Sequence, residues 1–144
     1  MSNTYISADL RRQIASRASR RCEYCLIHED DTFLGCQVDH VISEKHGGLT
    51  QADNLALSCV FCNRFKGSDI ATLGDDGILV PLFNPRSQQW HDHFEFANLE
   101  IRGVSPTGRG TAMLLRFNEP GRIEERRLSI STRDQIVHGV SREE

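Results

Sequence analysis

The chain has 144 residues, of which 38% are hydrophobic and 26% charged, and its formal net charge is −3. This length predicts one domain with a sizeable core, and the composition excludes a disordered or membrane-embedded chain. No apolar run approaches the roughly 20 residues of a membrane-spanning helix, and the N-terminus lacks a secretory pattern, so we expect a cytoplasmic protein without a membrane partner. The negative net charge argues against a protein that binds nucleic acid through overall charge alone.

The first predicted element is a basic N-terminal helix over residues 7–21. Ser7 is a typical N-cap, and apolar residues recur every fourth position on one face: Leu10, Ile14 and Ala18. Five arginines and no acidic residue lie within residues 11–21. Such a run is either a solvated helix face or a phosphate-contacting surface. In the second case the expected DNA contacts are Arg12 and Arg17.

The middle of the chain predicts two strands and a short helix. Residues 36–43 have the β-branched content of a strand, residues 44–53 form a loop with paired glycines, and residues 54–58 are a second apolar run. Residues 59–68 then resemble a short helix that stops near Gly67. The predicted order is therefore strand, loop, strand, helix.

The C-terminal region, residues 78–144, is predicted to be a strand-rich extension that packs on the same domain. Residues 93–104 and 111–118 resemble strands on either side of a turn at residues 105–110. The final segment, residues 123–144, is ambiguous between helix and strand. The fold class predicted from all elements together is α+β.

Four of the five cysteines form two Cys-x-x-Cys pairs, Cys22 with Cys25 and Cys59 with Cys62. In a reducing compartment, two such pairs predict a tetrahedral structural Zn²⁺ site, the alternatives being buried free thiols or a redox dithiol. The gap between the pairs exceeds the roughly 15–20 residues of common zinc ribbons, so it is expected to contain the predicted hairpin. Cys36 has no such partner and is expected in the core.

Polar residues accompany this cysteine frame at a distinctive spacing. They are Asp39-His40, the paired glycines of "HGG", Asn54, and Asn63 with Lys66 after the last cysteine. In these motifs, residues 21–68 closely resemble the HNH endonucleases. Parts of the C-terminal region also resemble small bacterial and phage-type members. Asn63 stands where many members have a histidine, so the resemblance is to an H-N-N variant.

The resemblance implies a ββα-metal fold and a role for each polar residue. His40 would be the general base, Asn54 would orient its imidazole, and Asp39 with Asn63 would hold a catalytic divalent ion. The substrate would be DNA, cut to 5′-phosphate and 3′-hydroxyl ends. Further weak DNA contacts are expected from three residues: His46, Arg64 and Lys66.

The residue types suit this chemistry. Histidine, with an ordinary pKa of about 6.5, is well placed to accept a proton from water, and a general base contributes roughly 10²- to 10⁴-fold in rate. Carboxylate and amide oxygens suit Mg²⁺ or Mn²⁺ better than zinc. Adjacent residues of a regular strand point to opposite faces, so a site that uses both Asp39 and His40 requires an irregular strand or a carboxylate that reaches around its edge.

Several alternatives stay open from sequence alone. His46 either touches phosphate or sits in the loop, and His91 with His93 either bind a second metal or pack. Trp90 is expected in the core. The rival function is a non-catalytic zinc module that binds nucleic acid or protein. DNA preference, nicking versus double-strand cutting and oligomeric state are not predicted.

Overall fold

The computed structural model describes residues 5–130, which form small antiparallel sheets and short helices. The α+β prediction is confirmed. Neighbouring strands pair as β1–β2, β3–β4 and β5–β6. Within the described range, no helix has the length and apolar character needed to cross a membrane. The elements are α1 (Ala8–Arg17), β1 (Cys36–His40), β2 (Leu55–Cys59), α2 (Val60–Lys66), β3 (Ala71–Leu73), β4 (Leu79–Pro81), β5 (Phe94–Ala97), β6 (Glu100–Gly103), α3 (Pro106–Leu114) and α4, helical over residues 120–130.

The predicted order of strand, loop, strand and helix is confirmed by β1, β2 and α2. The strands pair with His40 opposite Leu55. Strand β1 ends at His40, three residues before its predicted end, because the side chain of Asn54 takes over the backbone bonds of Ile42. Helix α2 stops at Gly67, whose φ of 51° lies in the left-handed region that favours glycine.

The loop between the strands depends on a close backbone approach at its second glycine. A Cβ built on Gly48 would lie 1.7 Å from the carbonyl oxygen of Ile42, a separation that no side chain tolerates. Gly47, at φ 90°, turns the chain just before this contact. The paired glycines therefore let the loop fold back onto the end of β1.

Helix α1 is shorter than predicted. The expected cap forms, with the Ser7 hydroxyl accepting from the amide of Leu10, and Ile14 is fully buried. The helix ends at Arg17 and not at residue 21, because Ser19 and Arg20 adopt positive φ angles and reverse the chain. The five arginines therefore do not share one helical face.

The prediction of a strand over residues 111–118 is wrong. Residues 111–114 lie in α3, which also contains most of the predicted turn, and residues 115–118 form turns. The Ser105 hydroxyl caps the helix by accepting from Gly108, and Pro106 occupies the first turn. A Cβ on Gly108 would lie 1.9 Å from the His93 carbonyl oxygen, so packing against the chain before β5 requires glycine there. Residues 93–104 form the β5–β6 hairpin, not one strand.

Two apolar clusters organise the described residues. The smaller one packs α1 against β2 through Ile14, Leu55 and Leu57. The larger one surrounds the four paired cysteines and includes Phe94 and Phe117 from the C-terminal region. Half-buried Cys36 contacts both clusters. The ambiguity over residues 123–144 resolves to helix as far as residue 130, and residues 131–144 lie outside the described range.

Candidate metal centre and active site

The four paired cysteines meet in one buried cluster, with all four Sγ atoms within 4.8 Å of one another. The Sγ atoms of Cys25 and Cys59 are 3.7 Å apart. Tetrahedral zinc bound by sulfur at about 2.3 Å places its sulfurs about 3.8 Å apart, so the donor set and its spacing fit a structural Zn²⁺ ion. Among residues 5–130 no other group of three or more histidine, cysteine or acidic side chains comes together in this way.

Each Cys-x-x-Cys pair curls its backbone around its first sulfur. The amide of Cys25 donates to the Sγ of Cys22, and the amide of Cys62 donates to the Sγ of Cys59, both at 3.4 Å. Burial raises the pKa of the Cys22 and Cys62 thiols. A bound cation is therefore what would hold the whole set deprotonated.

His40 lies at the end of β1 and is only 5% exposed. Its Nε2 lies 2.8 Å from the Thr50 hydroxyl oxygen, and that hydroxyl donates to the Glu44 carboxylate at 3.2 Å. Because the hydroxyl proton goes to Glu44, the Thr50 oxygen accepts from Nε2–H. In the neutral ring, Nδ1 then carries the lone pair, and this buried atom has no hydrogen-bond partner among residues 5–130.

The Asp39 carboxylate reaches the same side as the His40 ring. Its Oδ1 accepts from the backbone amide of His40 at 2.8 Å and lies 3.7 Å from His40 Nδ1. The side chain of Asp39 thus turns forward along the chain at the open edge of the two-stranded sheet. This explains how two adjacent strand residues face one site.

A small pocket between β1, β2 and α2 brings three of the four predicted catalytic residues together. Asp39, His40 and Asn63 all line it, and it offers about the room that one water molecule or small ion needs. The amide nitrogen of Asn63 donates to Gln37 at 3.2 Å, which leaves its amide oxygen as the possible ligand atom. The remaining walls are Tyr24, Ala56, Ser58 and Lys66.

The predicted contact between Asn54 and the imidazole is wrong. The Asn54 amide instead accepts from the amide of Ile42 at 3.0 Å and donates to the carbonyls of Ile42 and Leu49 at 2.9 Å each. An amide side chain can match a backbone donor and acceptor at once, and here it closes the loop after β1. Asn54 therefore positions the loop that contains Thr50, while Thr50 contacts the ring.

Two predicted DNA contacts have other partners in the structure. Lys66 is 6% exposed and donates to the Val41 carbonyl at 2.8 Å, and burial lowers its pKa. Arg17 donates to the carbonyls of Ala52 and Leu55 at 2.8 and 2.6 Å. Lys66 is therefore not a surface contact, and Arg17 joins α1 to the hairpin. Three other predicted contacts are exposed: Arg12, His46 and Arg64.

The aromatic and histidine residues after β4 pack. His93 Nδ1 lies 2.6 Å from the Ser105 hydroxyl, His91 contacts the Trp90 ring edge-on, and the Trp90 indole donates to the Tyr24 carbonyl at 2.8 Å. Within the described residues, His91 and His93 therefore belong to no metal-binding cluster. Sequence reasoning missed Thr50 and Glu44, since lone hydroxyl and acidic residues in a loop carry no distinctive spacing.

Residues 22–69 match the family model of the HNH endonucleases. The matched segment contains the cysteine cluster, both strands of the hairpin, α2 and every residue of the pocket described above. This segment is an HNH domain. No curated protein and no solved structure matches the chain. The match is confined to residues 22–69, and α1 and the region after residue 69 lie outside it.

Proposed function

We propose that the protein is a divalent-metal-dependent endonuclease that hydrolyses phosphodiester bonds in DNA. One observation carries the proposal. The Nδ1 atom of His40 is buried and has no hydrogen-bond partner in the described part of the chain, while its Nε2 is held by Thr50. The ring lies beside the Asp39 carboxylate in a pocket of the HNH domain. A merely structural histidine would have both ring nitrogens bonded or exposed to solvent.

His40 would act as the general base. Its Nδ1 takes a proton from a water molecule as the water oxygen attacks phosphorus and the bond from phosphorus to the 3′-oxygen breaks. The products are a 5′-phosphate and a 3′-hydroxyl, the latter protonated by solvent. Thr50 holds the imidazole in the tautomer that this proton transfer requires, and Asn54 holds the loop from which Thr50 extends.

Asp39 and Asn63 would hold the catalytic Mg²⁺ or Mn²⁺. The Asp39 carboxylate is about a third exposed, with 38% of its side chain accessible, so it is reachable from solvent. Its Oδ1 is engaged by the His40 amide, which leaves Oδ2 as a ligand atom beside the amide oxygen of Asn63. Such an ion supplies Lewis-acid stabilisation of charge on the phosphate and the leaving oxygen.

The DNA partner would be approached through exposed cations. Arg64 on α2, His46 in the loop and Arg12 on α1 support this role through their exposure. Arg12 also forms an exposed ion pair with Asp9, a contact that is weak in water. Lys66 lines the pocket but is buried, so it is not one of these exposed cations.

The test compares wild type with His40→Ala on supercoiled plasmid, with Mg²⁺, with Mn²⁺ and with EDTA. The variant should nick roughly 10²- to 10⁴-fold more slowly, the usual contribution of a general base, and the wild-type rate should rise with pH because only a neutral imidazole accepts a proton. The zinc content and melting temperature of the variant should match those of wild type, because His40 is not one of the four cysteine ligands.

Two results would count against the proposal. Equal nicking by folded, zinc-loaded His40→Ala would remove His40 as the base. Absence of nicking by wild type with every divalent ion would instead favour a non-catalytic zinc module that binds nucleic acid or protein.

A further inference from the structure

Two arginines on one face of α4 are buried in the core beside the cysteine cluster. Arg122 is 6% exposed and Arg126 is 4% exposed. Arginine is almost never fully buried unless its charge is paired. Among residues 5–130, neither guanidinium forms an ion pair with a carboxylate; their hydrogen bonds go to carbonyl oxygens and to sulfur.

Arg122 contacts the cysteine cluster directly. Its Nη2 donates to the Sγ of Cys62 at 3.0 Å and lies 3.6 Å from the Sγ of Cys59. Its Nη1 donates to the Leu115 carbonyl at 2.6 Å, which fixes the plane of the guanidinium. The side chain also lies over the rings of Phe61 and Phe117, at 5.6 and 5.8 Å from their centroids.

Charge balance explains this arrangement. Four thiolates around one divalent ion carry a net charge of about −2, and a buried charge is costly unless it is paired. Two buried guanidiniums would neutralise that charge.

We propose that Arg122 is the charge partner of the metal-loaded tetrathiolate site, and that it holds Cys62 and Cys59 as ligands and shields their sulfurs from electrophiles. Arg126 supplies a second buried charge nearby, through bonds to the carbonyls of Leu99 and Phe117 at 2.6 and 2.7 Å. Helix α4 lies well outside the HNH segment. Its docking is therefore coupled to metal loading of the HNH domain.

A purely structural reading makes a different prediction. If Arg122 served only to bond the Leu115 carbonyl, its loss would lower thermal stability without changing the electronic environment of the bound metal. Arg127, also on α4, is a matched control, because its guanidinium is about half exposed and pairs with Glu124. Replacing Arg127 removes the same charge from the same helix far from the sulfurs.

The experiment uses the full chain as wild type, Arg122→Gln, Arg122→Lys and Arg127→Gln. Zinc per chain is measured by elemental analysis, and zinc release to a chromogenic chelator is followed during alkylation with N-ethylmaleimide. Arg122→Gln should release zinc roughly 10- to 100-fold faster than wild type, the usual range for losing a partner of a metal ligand. Arg122→Lys keeps the positive charge but lacks the planar guanidinium, so its rate of zinc release should lie between those of wild type and Arg122→Gln. Arg127→Gln should match wild type.

Cadmium substitution gives a readout independent of stability. The ¹¹³Cd resonance of the loaded site should shift in Arg122→Lys and stay unchanged in Arg127→Gln, because Arg122 bonds the sulfurs whereas Arg127 pairs with Glu124. If Arg122→Gln fails to fold, the lysine variant decides: an unchanged ¹¹³Cd signal with wild-type zinc release would overturn the proposal. Equally faster zinc release in Arg122→Gln and Arg127→Gln would also overturn the proposal, because it would point to a general effect of charge on the helix. No measurement uses DNA, so the outcome is independent of nuclease activity.

Discussion

At the residue scale, the direction of two hydrogen bonds decides what His40 can do. The Glu44 carboxylate can only accept, so the Thr50 hydroxyl donates to it and accepts from His40 Nε2–H. The ring nitrogen beside the Asp39 carboxylate, Nδ1, is then the one that carries the lone pair. With Nε2–H bonded to Thr50, the buried Nδ1 atom has no hydrogen-bond partner among the described residues. Buried polar atoms without a partner are uncommon in proteins, and a catalytic role is one explanation for them.

Replacement of Thr50 tests this ordering. Thr50→Val should slow nicking roughly 2- to 12-fold, the equivalent of a neutral hydrogen bond worth about 0.5–1.5 kcal/mol. Thr50→Ser keeps the hydroxyl and should restore most of the rate. The ¹⁵N shifts of the His40 ring should report Nε2–H in wild type and Thr50→Ser, and a tautomer mixture in Thr50→Val. Unchanged ring shifts in the valine variant would exclude Thr50 as the positioning residue.

At the element scale, α1 is attached to the HNH domain by packing and by one arginine. Ile14 packs on Leu55 and Leu57 of β2, while Arg17 donates to the carbonyls of Ala52 and Leu55. Arg12, on the exposed side, has no comparable contact with the hairpin. The same helix thus contains one arginine that bonds the backbone of the hairpin and one that is exposed and pairs with Asp9.

The two arginines should therefore respond differently to substitution. Arg17→Ala should lower the melting temperature by roughly 2–8 °C, from the loss of about 1–2 kcal/mol of hydrogen bonding. Arg12→Ala should melt like wild type and reduce the slope of log affinity against log salt by up to about 1. Binding is measured without added Mg²⁺ or Mn²⁺, so that no cleavage occurs and the structural zinc stays bound. If Arg17→Ala instead reduced the salt slope of DNA binding and left the melting temperature unchanged, Arg17 would be a DNA contact and not a structural residue.

At the scale of the whole molecule, the cysteine cluster joins segments that are distant in sequence. One pair follows α1, the other spans the junction of β2 and α2, and Arg122 brings α4 onto the same sulfurs. The larger apolar cluster surrounds this point. With little regular sheet to hold the chain, metal binding is expected to contribute directly to folding.

Loss of one ligand should therefore unfold much of the protein. Cys59→Ser should lower zinc content and broaden or abolish thermal melting, because structural zinc contributes roughly 10–16 kcal/mol of apparent binding energy in small modules. Cys36→Ser is the matched control, since Cys36 is half-buried and outside the cluster. Wild type without zinc by elemental analysis, or unchanged melting of Cys59→Ser, would contradict a structural metal.

The sequence by itself determined the parts that depend on neighbouring residues. Cysteine spacing predicted the metal cluster, and β-branched content and a short apolar run predicted β1 and β2. Ser7 and Gly67 correctly marked the start of α1 and the end of α2. These features are local because a strand, a cap or a Cys-x-x-Cys turn needs only a few adjacent residues.

Only the tertiary structure decided which hydrogen-bond partners the polar side chains have. Asn54 bonds the Ile42 backbone in place of the imidazole, Thr50 takes that imidazole, and Lys66 is buried against Val41. Residues 111–114 belong to a helix, α3, in which Gly108 packs against the backbone of His93, outside the helix. Arg122 contacts sulfurs about 60 residues earlier. These contacts join residues of separate segments, which come within bonding distance only when the core and the cysteine cluster have formed.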